Sequence, residues 1–190
     1  MVVDYLCDQV NKQDMVVACF YYDFASREAQ SPTNMLGSLL KQLLSGLGAI
    51  PAEILQKFRG QKRAIGGRRL QLPDIVKMCA AVTSSQRTFI CIDALDECVP
   101  SHRLEVLGAL GQILRGSPNT RVFITGRSHI RGVVEKELCG RATSVLIVPR
   151  EDDIVTYLRA RLGKDTTPEA MDSFLENDIM KSIPEEISET

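Results

Sequence analysis

The chain has 190 residues, of which 44% are hydrophobic and 25% charged, with few prolines and glycines; this excludes a disordered chain and suits one globular domain, or one domain with part of a second. A formal net charge of −1 gives no global attraction to nucleic acid or to an anionic membrane. No apolar run approaches the ~18 residues of a membrane helix, and Asp4 and Asp8 interrupt the opening residues where a signal peptide would need an apolar core, so a cytoplasmic location is expected. The six cysteines show no CxxC spacing and read as reduced core residues. Two isolated histidines, His102 and His129, are too few for a zinc site or a hydrolytic triad.

In chain order, Val2, Val3, Leu6 and Val10 recur at helical spacing. The β-branched and aromatic run Met15 to Phe24 predicts a strand. Ser31-Pro32 then offers an N-cap with proline at the first helical position, followed by Met35, Leu36, Leu39, Leu40, Leu43, Leu44 and Leu47 on one stripe. That stripe reads as a core face rather than a partner-binding one. A short helix is expected over Ala52 to Phe58. The basic stretch Lys57 to Arg69, with Gly66-Gly67 inside it, reads as a solvated loop rather than a phosphate or nucleic-acid site, since no strand precedes it and it lacks GxxxxGK[ST].

Leu72 to Thr83 predicts a helix entered through Pro73, which feeds the run Arg87 to Glu97. After the turn Val99-Pro100-Ser101, Leu104, Leu107, Leu110, Ile113 and Leu114 mark an amphipathic helix stopped by Arg115-Gly116-Ser117-Pro118. Thr120 to Thr125 predicts a short buried strand. Ser128 is expected to cap a helix carrying Ile130, Val133, Val134 and Leu138 and closed by Gly140, and Thr143 to Val148 is expected to be a further strand. Arg150 to Gly163 reads as a helix with charges that suit its dipole. From Asp165 onwards eight acids face one base, Lys181, and a helical appendage is expected.

Strand and helix alternate, which predicts a parallel sheet covered by helices. Ligands of open α/β sheets bind at the C-terminal ends of the strands, so Asp93, Asp96 and Glu97, which follow Phe89-Ile90-Cys91-Ile92, fall on the functional rim. Two readings stand at this point: a core strand followed by a charged turn, or an acidic phosphate-chemistry site. Thr125-Gly126-Arg127 ends the neighbouring strand. A strand of four apolar residues ending on Asp, with acids three and four positions later, resembles the Walker B element of P-loop NTPases.

The resemblance extends from about Met15 to about Leu162. Asp23-Phe24 in the first strand, the leucine-rich helix, Phe89 to Cys98, Arg121-Val122-Phe123-Ile124-Thr125-Gly126-Arg127 and the late Asp152-Asp153-Ile154-Val155 with Tyr157-Leu158 together resemble the NACHT branch of the STAND signal-transduction NTPases. Within that branch the chain is similar to the nephrocystin-like modules of fungal multidomain proteins, which often carry ankyrin or other repeats. The resemblance implies an α/β fold of P-loop NTPase (ASCE) type, a parallel sheet with flanking helices. It implies Mg²⁺ with ATP or GTP as cofactor, Asp93 as the metal ligand, directly or through water, and Asp96 and Glu97 sharing the catalytic, water-activating role. Arg127, with Thr125 beside it, takes the nucleotide-binding sensor position. The implied partners are a nucleoside triphosphate, repeat or effector domains and a second copy of the chain by self-association, with no membrane and no nucleic acid. Residues 1–163 are expected to form a partial NTPase core and 164–190 the start of a helical lid or linker.

The chain departs from the family pattern in two places. Gly126 and Ser128 flank Arg127 where relatives often show Ser-Arg-Pro, and GxxxxGK[ST], whose amides and lysine cradle phosphates, occurs nowhere. The first (Walker A) strand and loop are thus missing from the sequence, and the chain is expected to be a fragment cut at both ends. In the family's sheet the loop-bearing strand lies between the strand ending at Thr125 and that over Thr143 to Val148, so the latter needs a new partner. The expectation is a piece of a nucleotide-binding signalling module that is not catalytically competent alone; the alternative is a non-enzymatic scaffold or interaction module.

Overall fold

The computed structural model describes residues 2–10, 15–47, 52, 55–56, 70–148, 150–164 and 172–188. The basic segment 57–69 lies outside the described residues, as do residues 53–54 and 57–58 of the short helix expected over 52–58, of which Ala52, Leu55 and Gln56 are described and helical. The chain divides into two compact units, Met1–Ser144 and Val145–Thr190.

The first unit opens with helix α1 (Val2–Val10) and strand β1 (Met15–Tyr21), followed by a 3₁₀ turn at Phe24–Ala29. Helix α2 (Pro32–Ser45) starts as the sequence predicts, with the Ser31 hydroxyl accepting from the Asn34 amide at 3.3 Å and Pro32 in the first turn. Helix α3 (Leu72–Ser84) leads into β2 (Arg87–Asp93), and α4 (Pro100–Gly116) leads into β3 (Thr120–Ile124). The three strands are parallel in the order β1-β2-β3, with Phe20 opposite Ile92 and Ile92 opposite Ile124. Helical crossovers make this order possible, because parallel neighbours cannot be joined by a tight turn. The expected class, an α/β parallel sheet with flanking helices, is what the chain adopts.

Alternation along the strands sorts the side chains. Ala18, Ile90 and Ile92 point to one face and join a core with Leu36, Leu39, Leu43, Val82, Leu107, Leu110 and Ile113, all of them fully buried. On the opposite face α1 lies against β1, and Tyr21, Arg121 and Phe123 are exposed. At the far end of α4, the Ser117 hydroxyl donates to the Thr83 carbonyl at 2.6 Å and meets the Thr120 hydroxyl at 2.7 Å, satisfying buried polar groups where α3, α4 and β3 converge.

The two edges of the sheet are treated differently. On β1, the Gln42 side chain from α2 accepts from the Cys19 amide at 2.9 Å and donates to the Cys19 carbonyl at 2.8 Å, closing that edge. On β3 the cover is confined to the start of the strand, where the Arg121 guanidinium donates to the Pro118 and Thr120 carbonyls at 2.9 and 3.1 Å. The Asn119 carbonyl and the Thr125 amide both face β2, so strand alternation turns the backbone groups of Val122 and Ile124 outward.

After β3, the structure corrects two expectations. Ser128 does not cap a helix; it opens a 3₁₀ turn (Ser128–Ile130), and helix α5 (Arg131–Glu137) follows without a side-chain cap. Gly140 does close the segment, at φ +69 with its amide donating to the Glu135 carbonyl at 3.3 Å. The expected strand over Thr143 to Val148 is irregular chain, and Val145, Leu146, Ile147 and Val148 are 80%, 73%, 84% and 61% exposed. A strand exists only as one member of a ladder. Among the described residues β3 pairs with β2 alone, so the propensity of this run finds no partner.

In the second unit, helix α6 (Glu151–Leu162) carries three acids in its first turn and Arg159 and Arg161 in its last, as the macrodipole favours. It packs on α7 (Ser173–Ser188), so the acidic segment is helical over these residues. Among the described residues no helix is long and apolar enough to cross a membrane.

Candidate functional site

The three acids singled out in the sequence leave the sheet at its C-terminal rim, where β2 ends. Asp93 closes the strand, and Ala94 turns the chain in the left-handed region at φ 53, a conformation that costs a non-glycine residue energy unless neighbours enforce it. Thr125 supplies that enforcement. Its Oγ1 accepts from the Ala94 amide at 3.0 Å and its hydroxyl proton goes to Asp93 Oδ1, while its carbonyl accepts from the Leu95 amide at 3.0 Å and its own amide donates to the Ile92 carbonyl at 2.9 Å. One residue at the end of β3 thus fixes the Asp93 carboxylate and the turn behind it.

Beyond the turn lies a 3₁₀ segment, Leu95–Glu97. Asp96, whose side chain is only 10% exposed, accepts from the Arg127 amide at 3.3 Å and pairs with the Arg127 guanidinium at 3.5 Å. Arg127 itself is 81% exposed, so the pair sits at the lip of the rim and contributes little to stability. Gly126 leaves room for this approach: a Cβ there would come within 2.5 Å of Ile130 Cδ1, which would have to shift, and within 3.3 Å of Asp96 Oδ1. Glu97 turns the other way and accepts from the Phe24 amide at 2.9 Å, tying the end of β2 to the end of β1. There Asp23 caps the 3₁₀ turn, accepting from the Ala25 amide at 3.0 Å and from the Ser26 hydroxyl at 2.9 Å.

The structure therefore joins Asp93 with Thr125 and Asp96 with Arg127, and it sends Glu97 toward β1. Among the described residues no three histidine, cysteine or acidic side chains gather closely enough to hold a metal ion on their own. The donor set nevertheless fits Mg²⁺ in the way phosphate-bound Mg²⁺ is usually held. That ion takes hard oxygen donors, commonly one or two carboxylates, and fills its remaining positions with phosphate oxygens and water. Asp93 Oδ2 accepts no hydrogen bond from the described residues.

Sequence reasoning missed Arg103. Its guanidinium donates to the Leu95, Asp96 and Cys98 carbonyls at 3.2, 2.8 and 2.9 Å, clamping the whole acidic turn from α4. A signal was present: Arg103 sits in the first turn of a helix, where a cation opposes the dipole and needs a compensating partner. Gln42 and its edge bonds were missed as well, because a glutamine on a leucine-rich stripe carries no local mark. The thiols are bystanders. All six cysteines are free, and burial pushes Cys79 up to about 12 and Cys91 up to about 11, so both stay protonated near neutral pH.

A parallel α/β sheet whose C-terminal rim carries a threonine-braced aspartate and an Asp–Arg pair defines the class of the protein. The chain belongs to the nephrocystin 3, N-terminal family, whose model matches residues 1–127 and so covers every residue of this rim. The comparison with curated proteins found no match. Among solved structures, the chain is similar to a Walker-type ATPase of Pyrococcus abyssi, at 14% identity and a TM-score of 0.45. That similarity covers 92% of this chain and 52% of the other, so this chain spans about half of that protein's length.

Proposed function

We propose that the chain is part of a NACHT-type nucleoside-triphosphate switch of the STAND class, in the nephrocystin-like form found in fungal multidomain proteins, and that the β2–β3 rim is its metal- and γ-phosphate-facing half. The observation that carries this reading is the brace on Asp93. Thr125 Oγ1 accepts from the Ala94 amide and donates to Asp93 Oδ1, which fixes that side chain while its Oδ2 accepts no hydrogen bond from the described residues and stays open to a cation. Bound Mg²⁺ would neutralise phosphate charge there. Asp96 holds Arg127 at the lip, within reach of an anionic ligand, and Asp96 or Glu97 is the acid that orients a water.

Phosphoryl transfer depends on positioning and charge neutralisation, and no phosphate loop occurs in these 190 residues. The chain by itself is therefore not a competent hydrolase. A second reading, a non-enzymatic scaffold or interaction module, is favoured by the bonds that already occupy both proposed water-activating acids, Asp96 with Arg127 and Glu97 with the Phe24 amide.

Equilibrium binding of labelled ATP with Mg²⁺ separates the two. The 190-residue chain is expected to show no saturable binding up to about 1 mM, because the main phosphate cradle is absent. The same chain extended along its reading frame to include a GxxxxGK[ST] segment is expected to bind in the micromolar range and to lose binding on Asp93→Ala. Absence of binding by the extended chain, or binding indifferent to Asp93→Ala, leaves the scaffold reading in its place.

A further inference from the structure

The cysteines take no part at the rim, yet three of the six gather on the face of the sheet that turns away from the main core. Strand alternation sends Cys19 and Cys91 to that face, opposite to Ala18, Ile90 and Ile92, and the two are register partners in the parallel β1–β2 ladder. Gln42 holds the Cys19 amide and carbonyl from the outer edge, so the strand is fixed at this pair. Helix α1, which carries Cys7, lies against β1. Burial first, and then a charge on Cys19, raises the pKa of both Cys7 and Cys91, so the three sulfurs lie within electrostatic reach of one another. All three are free thiols.

We propose that Cys19 and Cys91 are a redox pair, which hydrogen peroxide converts to a reversible disulfide across the β1–β2 ladder. Neighbouring strands lie about 4.8 Å apart, inside the ~4.4–6.8 Å between Cα atoms that a disulfide spans. Cys19 is half-buried and Cys91 only 3% exposed, so the oxidant meets Cys19. The Cys19 thiolate attacks one peroxide oxygen and the O–O bond breaks; a sulfenic acid forms, and the other oxygen takes up a proton and leaves as water. Cys91 Sγ then attacks Cys19 Sγ, the S–O bond breaks, and hydroxide departs as a second water with the Cys91 proton. Two thiols are oxidised and one peroxide is reduced. The paired Cβ atoms point the same way, which keeps the bond from relaxed disulfide geometry and makes it the reducible, regulatory kind rather than a structural clamp. Cys7 is not the resolving thiol: its side chain on α1 is exposed, whereas the ladder fixes Cys91 beside Cys19. The next pair on the same face is Tyr21 with Asp93, so the bond stiffens the strand that carries Asp93 from beneath the rim. The inference does not depend on nucleotide binding.

Peroxide treatment of the folded chain, alkylation of the thiols that remain and mass mapping of the peptides test it. The expected result is an intramolecular Cys19–Cys91 disulfide that dithiothreitol reverses. Cys19→Ser, at a half-buried position, is expected to slow oxidation of Cys91 by roughly tenfold or more, since a buried, protonated thiol is inert alone. Cys7→Ser is expected to leave the disulfide in place. Phenylarsine oxide, whose arsenic bridges two neighbouring thiols, supplies a second measurement on the reduced chain: it is expected to bind wild type and Cys7→Ser, and not Cys19→Ser. Absence of a disulfide in the folded chain, pairing of Cys19 with Cys7 or with any other cysteine, or arsenical binding that is missing in wild type or survives Cys19→Ser would each overturn the inference.

Discussion

Two apolar runs in this chain carry nearly the same message and meet opposite fates. Phe89-Ile90-Cys91-Ile92 becomes the central strand, with Ile90 fully buried and β1 and β3 on either side. Val145-Leu146-Ile147-Val148, more β-branched if anything, stays irregular and exposed. The difference is not intrinsic propensity. It is the presence of neighbours, because β-propensity measures how well a side chain fits a half-buried pleated surface, and backbone groups form a ladder only with a second strand.

The sharpest break in this comparison is a matched pair of substitutions. Ile90→Ala empties a fully buried site and is expected to destabilise the Met1–Ser144 unit by about 2–5 kcal/mol. Ile147→Ala, measured by urea denaturation at concentrations where the chain is monomeric, is expected to change stability by less than about 0.5 kcal/mol. A comparable loss at both positions would mean that the second run is already buried in the monomer.

A smaller effect is expected from the clamp that makes the rim of the first run a site. Arg103→Met keeps the length of the side chain and removes its bonds to the Leu95, Asp96 and Cys98 carbonyls. The expected cost is about 2 kcal/mol, the scale of hydrogen bonds from a charged donor, together with faster amide exchange across Leu95–Glu97. Unchanged exchange there would show that Thr125 alone holds the acidic turn.

The smallest effect lies just before the second run, where the Arg131 guanidinium and the Ser144 hydroxyl both bond Glu135 Oε1 at 2.8 Å. The hydrogen bond from Arg131, and after it that from Ser144, hold the Glu135 carboxyl below its ordinary value. A depressed carboxyl contributes stability that is present at neutral pH and above its unfolded value, and that is lost as pH falls through the lower folded value. The carboxyl is exposed, so Glu135→Gln is expected to alter stability at pH 7 only marginally and to flatten its decline in the acid range. A decline identical in wild type and Glu135→Gln would remove this clip from the account.

Much of the architecture is legible from local pattern. The leucine stripe after Ser31-Pro32, the stop at Arg115 to Pro118 and the acid-first, base-last order of α6 each state a helix and its ends, since capping and amphipathicity are local physics. The placement of Asp93, Asp96 and Glu97 at a strand end was legible for the same reason. Their partners were not. That Asp93 belongs with Thr125, Asp96 with Arg127 and Glu97 with the Phe24 amide depends on which strands lie side by side, and these residues are 32, 31 and 73 positions apart.

The sequence by itself thus determined where chain segments are helical or extended, which faces are apolar, and that the acids emerge together after Ile92. Tertiary structure decided which of the strand-like runs became strands and which acids remained available. Hydrogen-bond ladders and buried polar pairs are agreements between distant residues, and a run such as Val145 to Val148 states only its own half of one.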